Sequence, residues 1–219
     1  MAKFDLLLLS FLSLGASALT TGLLGPRVCG QTVGPSSILS ISKENRDEPA
    51  KAYDPYVALN QLVDGAGNKV GVAAILRFTP PAPGSGSSAS SPPAACEFTL
   101  SFPASRFGDV QLGRADWQKP PEIAISKITN LGAPGAPLPS YNQLNVVPGP
   151  WATATVSRGL HAVAGAEPCD TAADYLLEIP DWIAVNMGVS WPNDVLPAAG
   201  DAGGADVDEF LGVYLRHVC

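Results

Sequence analysis

The chain has 219 residues, of which 46% are hydrophobic, with four cysteines and a formal net charge of −7. Charge is uneven: residues 1–160 carry a net +2 and residues 161–219 a net −9, with no basic residue between Asp170 and Glu209. A field of that sign disfavours nucleic acid and acidic lipid surfaces as partners, and no Gly-rich phosphate loop stands between a predicted strand and helix.

At the start, Lys3 precedes an apolar run through Leu6, Leu7, Leu8, Leu9, Phe11, Leu12 and Leu14, and Ala16-Ser17-Ala18 follows with small residues at the cleavage positions. This predicts a secretory signal peptide over residues 1–18, removed before Leu19. Its apolar stretch is shorter than the roughly 20 residues a membrane helix needs. No later segment is longer, and residues 210–219, with Arg216 and His217, lack a GPI signal. The expectation is a protein secreted to the extracellular space with no membrane anchor. No Asn-x-Ser/Thr sequon is present.

Residues 19–52 are Gly-, Ser- and Pro-rich and read as an extended N-terminal segment with one short strand at 37–42. From residue 53 to 219 the pattern is that of a single domain. Tyr53-Asp54-Pro55-Tyr56 is a turn. The turn Asp64-Gly65-Ala66-Gly67-Asn68 joins segment 53–63 to the β-prone run 69–78 as a hairpin. Residues 79–95 contain Pro, Gly, Ser and Ala without a large apolar side chain, and read as a disordered loop. Period-2 alternation then recurs at 97–102 and 123–128, residues 131–140 form a loop, and further strands are predicted at 143–147, 151–157, 160–164, 174–179, 182–191 and 210–218. In 182–191, Ile183, Val185, Met187, Val189 and Trp191 share one face. Short strands between Pro/Gly turns, with no long amphipathic helix, predict an all-β fold, an antiparallel β-sandwich with a β-barrel as the alternative.

Cys29, Cys96, Cys169 and Cys219 fit no zinc or Cys-x-x-Cys spacing. An even number in an exported chain predicts two disulfides, with three pairings open; Cys29–Cys96 and Cys169–Cys219 are the pairing preferred here.

Three candidate sites stand out. Trp117, Trp151, Trp182 and Trp191, with Tyr141 and Tyr175, are candidates for a carbohydrate-binding face, set against the ordinary use of Trp in cores. Asp201, Asp206, Asp208 and Glu209 form a Gly-containing carboxylate loop suited to calcium, or simply a solvated acidic loop. No other cofactor is expected. His161 and His217 are the only bases of their kind, but no Gly-x-Ser-x-Gly elbow accompanies them. His217 shares a strand face with Leu211, Val213 and Leu215, which predicts burial. No catalytic residue is assigned.

From Cys96-Glu-Phe-Thr-Leu-Ser-Phe-Pro103 onward, through the Gly-containing stretch at 107–117 and the strands running to the terminal cysteine, the chain resembles secreted fungal proteins with a But2-type C-terminal domain. The resemblance implies a β-sandwich in a secreted or wall-associated fungal protein and carries no catalytic residues. The expected function is that of a non-enzymatic extracellular or cell-wall-associated protein acting by surface contact, in the manner of a fungal effector. Its expected partner is a cell-wall glycan or a host surface protein, and the chain is expected to be a monomer. A carbohydrate-binding module and a secreted hydrolase with a site assembled from distant loops are the alternatives.

Overall fold

The computed structural model describes residues 28–79, 95–113, 119–133, 135–168, 173–194 and 209–218, with side chains from Thr32 onward. The leader, all but the two end residues of the loop at 79–95, Trp117, Cys169, Cys219, Asp201, Asp206 and Asp208 lie outside the described residues.

The strands in chain order are β1 (Val28–Val33), β2 (Ser37–Ser42), β3 (Lys51–Ala52), β4 (Tyr56–Val63), β5 (Lys69–Phe78), β6 (Ala95–Phe102), β7 (Gln111–Gly113), β8 (Glu122–Ile128), β9 (Ala152–Thr155), β10 (Leu160–Glu167), β11 (Ala173–Glu178), β12 (Met187–Pro192) and β13 (Gly212–Val218). They form two packed antiparallel sheets, one of which curls into an open half-barrel. The smaller sheet has the order β1-β13-β6-β10. The larger runs β7-β12-β4-β5-β11-β8-β9, with β2 also paired to β5 and β3 to β2. The all-β sandwich predicted from strand periodicity is therefore the observed architecture.

Alternation decides which side chains meet between the sheets. Phe98, Leu100 and Phe102 from β6, with Val213 and Leu215 from β13, face Ala74, Leu76 and Phe78 of β5, Tyr175 and Leu177 of β11, and Ile123 and Ile125 of β8. At β2, β5, β8 and β11 the opposite face of the larger sheet is buried too. Leu39, Ile41, Ala73, Ile75, Ile128 and Leu176 form a second core, covered by Leu131, Leu138, Tyr141, Leu144 and Val146. Residues 129–147, which include the stretch 131–140 read as loop from its Gly and Pro content, act as a third layer. Arg77 fastens this layer: it pairs with Asp174 at 3.1 Å and donates to the Gly132 carbonyl at 2.8 Å.

Several elements differ from expectation. The short strand expected at 37–42 is β2, and residues 28–52 also supply β1 to the smaller sheet and β3 to the larger; within β2, Ile38 faces the main core while Leu39 and Ile41 face the second. Residues 143–147 are not a strand. A 3-10 turn, Tyr141–Gln143, is set by a capping box between Ser140 and Gln143, and only Val146 bridges to Ile128. The predicted strand 182–191 is shortened to β12, and the residues before it form a loop.

The expected framework of two bridges is cut back: no bridge joins two described residues, while Cys96 is buried and disulfide-bonded. The preferred Cys29–Cys96 pairing fails on topology. β13 lies between β1 and β6, with Cys96 opposite His217 and Val28 opposite Val218. Two strand spacings amount to about 9.5 Å, beyond the ~7 Å that a disulfide spans between Cα atoms.

Candidate functional site

β11 ends at Glu178, and Pro180 stops the strand because it cannot donate to a ladder. The chain turns, the Ile183 N–H donating to the Pro180 carbonyl at 3.0 Å, and enters β12 at Met187. Between these points the loop is fastened by contacts from distant parts of the sequence. Lys43, just past β2, is only 6% exposed and sits 2.9 Å from Glu178 and 3.0 Å from Asp181. The Lys69 ammonium donates to the Asp181 carbonyl. Gln61 Nε2 donates to the Ile183 carbonyl at 2.6 Å, and the Val63 N–H donates to Asn186 Oδ1 at 2.7 Å.

Beneath the loop, the Tyr141 hydroxyl donates to Glu178 Oε2 at 3.1 Å, and the Arg46 guanidinium lies 5.4 Å above the Tyr141 ring. Burial alone would lower the Lys43 pKa, but the hydrogen bond and charge of Glu178, helped by Asp181, outweigh it and hold the ammonium above its ordinary 10.5. Burial, with the Glu178 charge, pushes the Tyr141 phenol up to about 12. An ammonium that stays charged and a phenol that stays neutral provide neither base nor nucleophile at neutral pH. The cluster is an anchor.

What it anchors is Trp182. The indole is 56% exposed, and its N–H lies 3.5 Å from Glu122 Oε2 at the start of β8. Val185, on the same loop, and Leu62, between the two β4 residues that hold the loop, are exposed as well.

The other aromatic candidates are elsewhere. Trp191, on β12, is 1% exposed and meets Phe102 edge-on at 5.1 Å in the main core. Trp151 is half-buried, packed on Gly165 and against Phe98 and Tyr175, with the Lys127 ammonium 4.8 Å from its ring centre. Tyr175 is buried, donates to Glu167, and has its pKa raised by that burial. Trp151, Trp182 and Trp191 thus do not share a face, and Trp182 is the exposed member of the three. Glu209 is exposed, and among the described residues no group of three His, Cys, Asp or Glu is placed to hold a metal ion.

The histidines lie on opposite faces of the smaller sheet. His217 is 2% exposed in phase with Val213 and Leu215, as its pattern predicted, and burial lowers its pKa. His161, on the outer face of β10, has Nδ1 3.5 Å from the Oγ of the buried Ser101.

A second exposed aromatic feature escaped the sequence reading. Tyr53 and Tyr56 meet edge-on at 6.4 Å on the turn before β4. Asp54 accepts from the Ile38 N–H, and the Pro55 carbonyl accepts from Asn193 at 2.7 Å. The turn signal was legible, but the exposure of both rings was not. Among the described residues no helix is long and apolar enough to cross a membrane. No family model, curated protein or solved structure matches the chain.

Proposed function

We propose that this chain is an exported protein that acts by surface contact and not by catalysis, with the loop at residues 181–186 as its contact face. Export rests on the leader pattern of Lys3, the apolar run to Leu14 and Ala16-Ser17-Ala18. The observation that carries the contact reading is Trp182: a 56% exposed indole on a loop tied down by Lys43, Lys69, Gln61 and Val63. A fold gains nothing from leaving so large an apolar ring in water. A partner that covers it gains both area and a ring already held in place, since little conformational freedom remains to be lost. The resemblance to But2-type secreted proteins directs the search to fungal walls and to host surfaces.

The test is attachment of the secreted, fluorescently labelled chain to intact walls and host cell surfaces. Trp182→Ala is expected to lower half-saturating affinity about tenfold or more, as for a central aromatic anchor. Its unfolding midpoint should stay within about 0.5 kcal/mol of the parent's, as for an exposed position. Unchanged attachment by this variant would overturn the reading. N-terminal sequencing of the secreted form checks the leader, with Leu19 as the expected first residue.

A further inference from the structure

We infer that the Trp182 face takes an uncharged saccharide; this rests on the contact reading above and names its ligand class. One carboxylate borders the indole and a second belongs to the residue before it in the chain. Glu122 approaches the ring N–H with Oε2 only, and Asp181, adjacent in sequence, receives Lys43 on Oδ1 only. Oε1 of Glu122 and Oδ2 of Asp181 make no hydrogen bond among the described residues, and the Asp181 side chain is 74% exposed.

A protein partner closing over the ring with apolar side chains would leave the open Oε1 of Glu122 and Oδ2 of Asp181 out of water without a donor, which is unfavourable for a charged acceptor. A sugar ring meets both demands at once. Its C–H face covers the indole, while hydroxyls at its rim donate to the open carboxylate oxygens. Hydroxyls are the donors that an ionised carboxylate, which only accepts, requires. The sign of the field sets the class further. Glu122 and the exposed Asp181 carboxylate would repel uronate or sulfate groups on a ligand stacked on the ring.

The experiment titrates the secreted chain with laminarihexaose, cellohexaose and chitohexaose, with hexagalacturonate as the anionic comparison, following tryptophan emission and calorimetric heat. Saturable binding of at least one uncharged hexasaccharide is expected, weakened about tenfold by Trp182→Ala and severalfold by Glu122→Gln. Leu112→Ala, at an exposed apolar position on β7, should leave it unchanged. The inference falls if no uncharged hexasaccharide saturates up to about 5 mM, if both variants bind like the parent, or if the galacturonate binds more tightly. If the sugars fail while Trp182→Ala still releases the chain from walls or host cells, the saccharide inference falls and the contact reading stands. If that substitution changes neither measurement, both fall.

Discussion

Lys43 holds a full charge at a position 6% exposed, so its stability contribution depends on keeping both carboxylates in place. Removing the ammonium leaves Glu178 facing the Tyr141 hydroxyl without a counter-ion, and an uncompensated buried charge is the costly case. Lys43→Met is expected to lower unfolding free energy by about 2–4 kcal/mol in urea titrations. Because Asp181 loses its partner as well, the same variant should loosen the Trp182 loop, read as faster amide exchange at Ile183. Lys43→Met combined with Glu178→Leu should recover most of the stability, since an apolar pair of similar volume avoids desolvation; failure to recover would mean that the pair does more than neutralise itself. His217 makes a prediction in pH. Burial lowers its folded pKa below 6.5, so between those two values the unfolded chain binds more protons than the native one. Its contribution is therefore fully present above about pH 6.5 and is lost as pH falls through 6.5 toward the lowered folded value. Urea midpoints should fall between pH 7.5 and 5.5, and His217→Gln should flatten that slope. Asp174 has the opposite sign: burial, only partly offset by Arg77, raises its pKa, so its contribution favours the native state on the acid side and is lost as pH rises through the raised folded value.

At the scale of elements, β10 and the segment before β9 meet through a glycine. A Cβ on Gly165 would lie 2.5 Å from a ring carbon of Trp151, so any side chain there displaces the indole from Phe98, Tyr175 and Lys127. Gly165→Ala should cost about 1–3 kcal/mol by overpacking and shift tryptophan emission to the red; an unchanged spectrum would mean that the ring has room to move. Elements were legible in the sequence where a strand has one apolar face. Phe98, Leu100 and Phe102 announce β6, and Asp64 to Asn68 announce the β4–β5 turn. They were misread where a distant polar contact overrides local alternation. Ile183 and Val185 continue the phase of Met187, Val189 and Trp191, yet Gln61 and Val63, 122 and 123 residues away from their partners, pull this stretch into a loop. In the segment read as strand 143–147, the Ser-x-x-Gln capping signal at Ser140 and Gln143 was present and outranks the short apolar run. The candidate site divides in the same way. Trp182 could be named from composition, but its exposure depends on Lys43, which lies 138 residues from Asp181 and offers no local pattern.

Over the whole molecule, the larger sheet is buried on both faces at β2, β5, β8 and β11, and this couples the two cores. β5 places Ala74, Leu76 and Phe78 in the main core and Ala73 and Ile75 in the second, while β11 divides Tyr175 and Leu177 from Leu176 in the same way. Neither β5 nor β11 can leave one core without leaving the other. The covering segment, residues 129–147, is joined to this sheet by Arg77 through Gly132, by the Val147 N–H on the Lys127 carbonyl and by the Ile128–Val146 bridge. The described sandwich and its third layer should therefore unfold in one step. Ile75→Ala, deep in the second core, and Leu100→Ala, deep in the first, should each cost about 2–5 kcal/mol. Each should move a single transition seen identically by far-ultraviolet circular dichroism and by tryptophan emission, to which Trp191 contributes from the main core. The covering layer would be an independent unit if Ile75→Ala split the curve, with amides at 129–147 exchanging before the emission changes. Coincident curves for both variants would mean that the covering segment belongs to the cooperative fold, and that the Trp182 loop, tied to Tyr141 of that layer through Glu178 and Lys43, keeps its shape until the whole molecule unfolds.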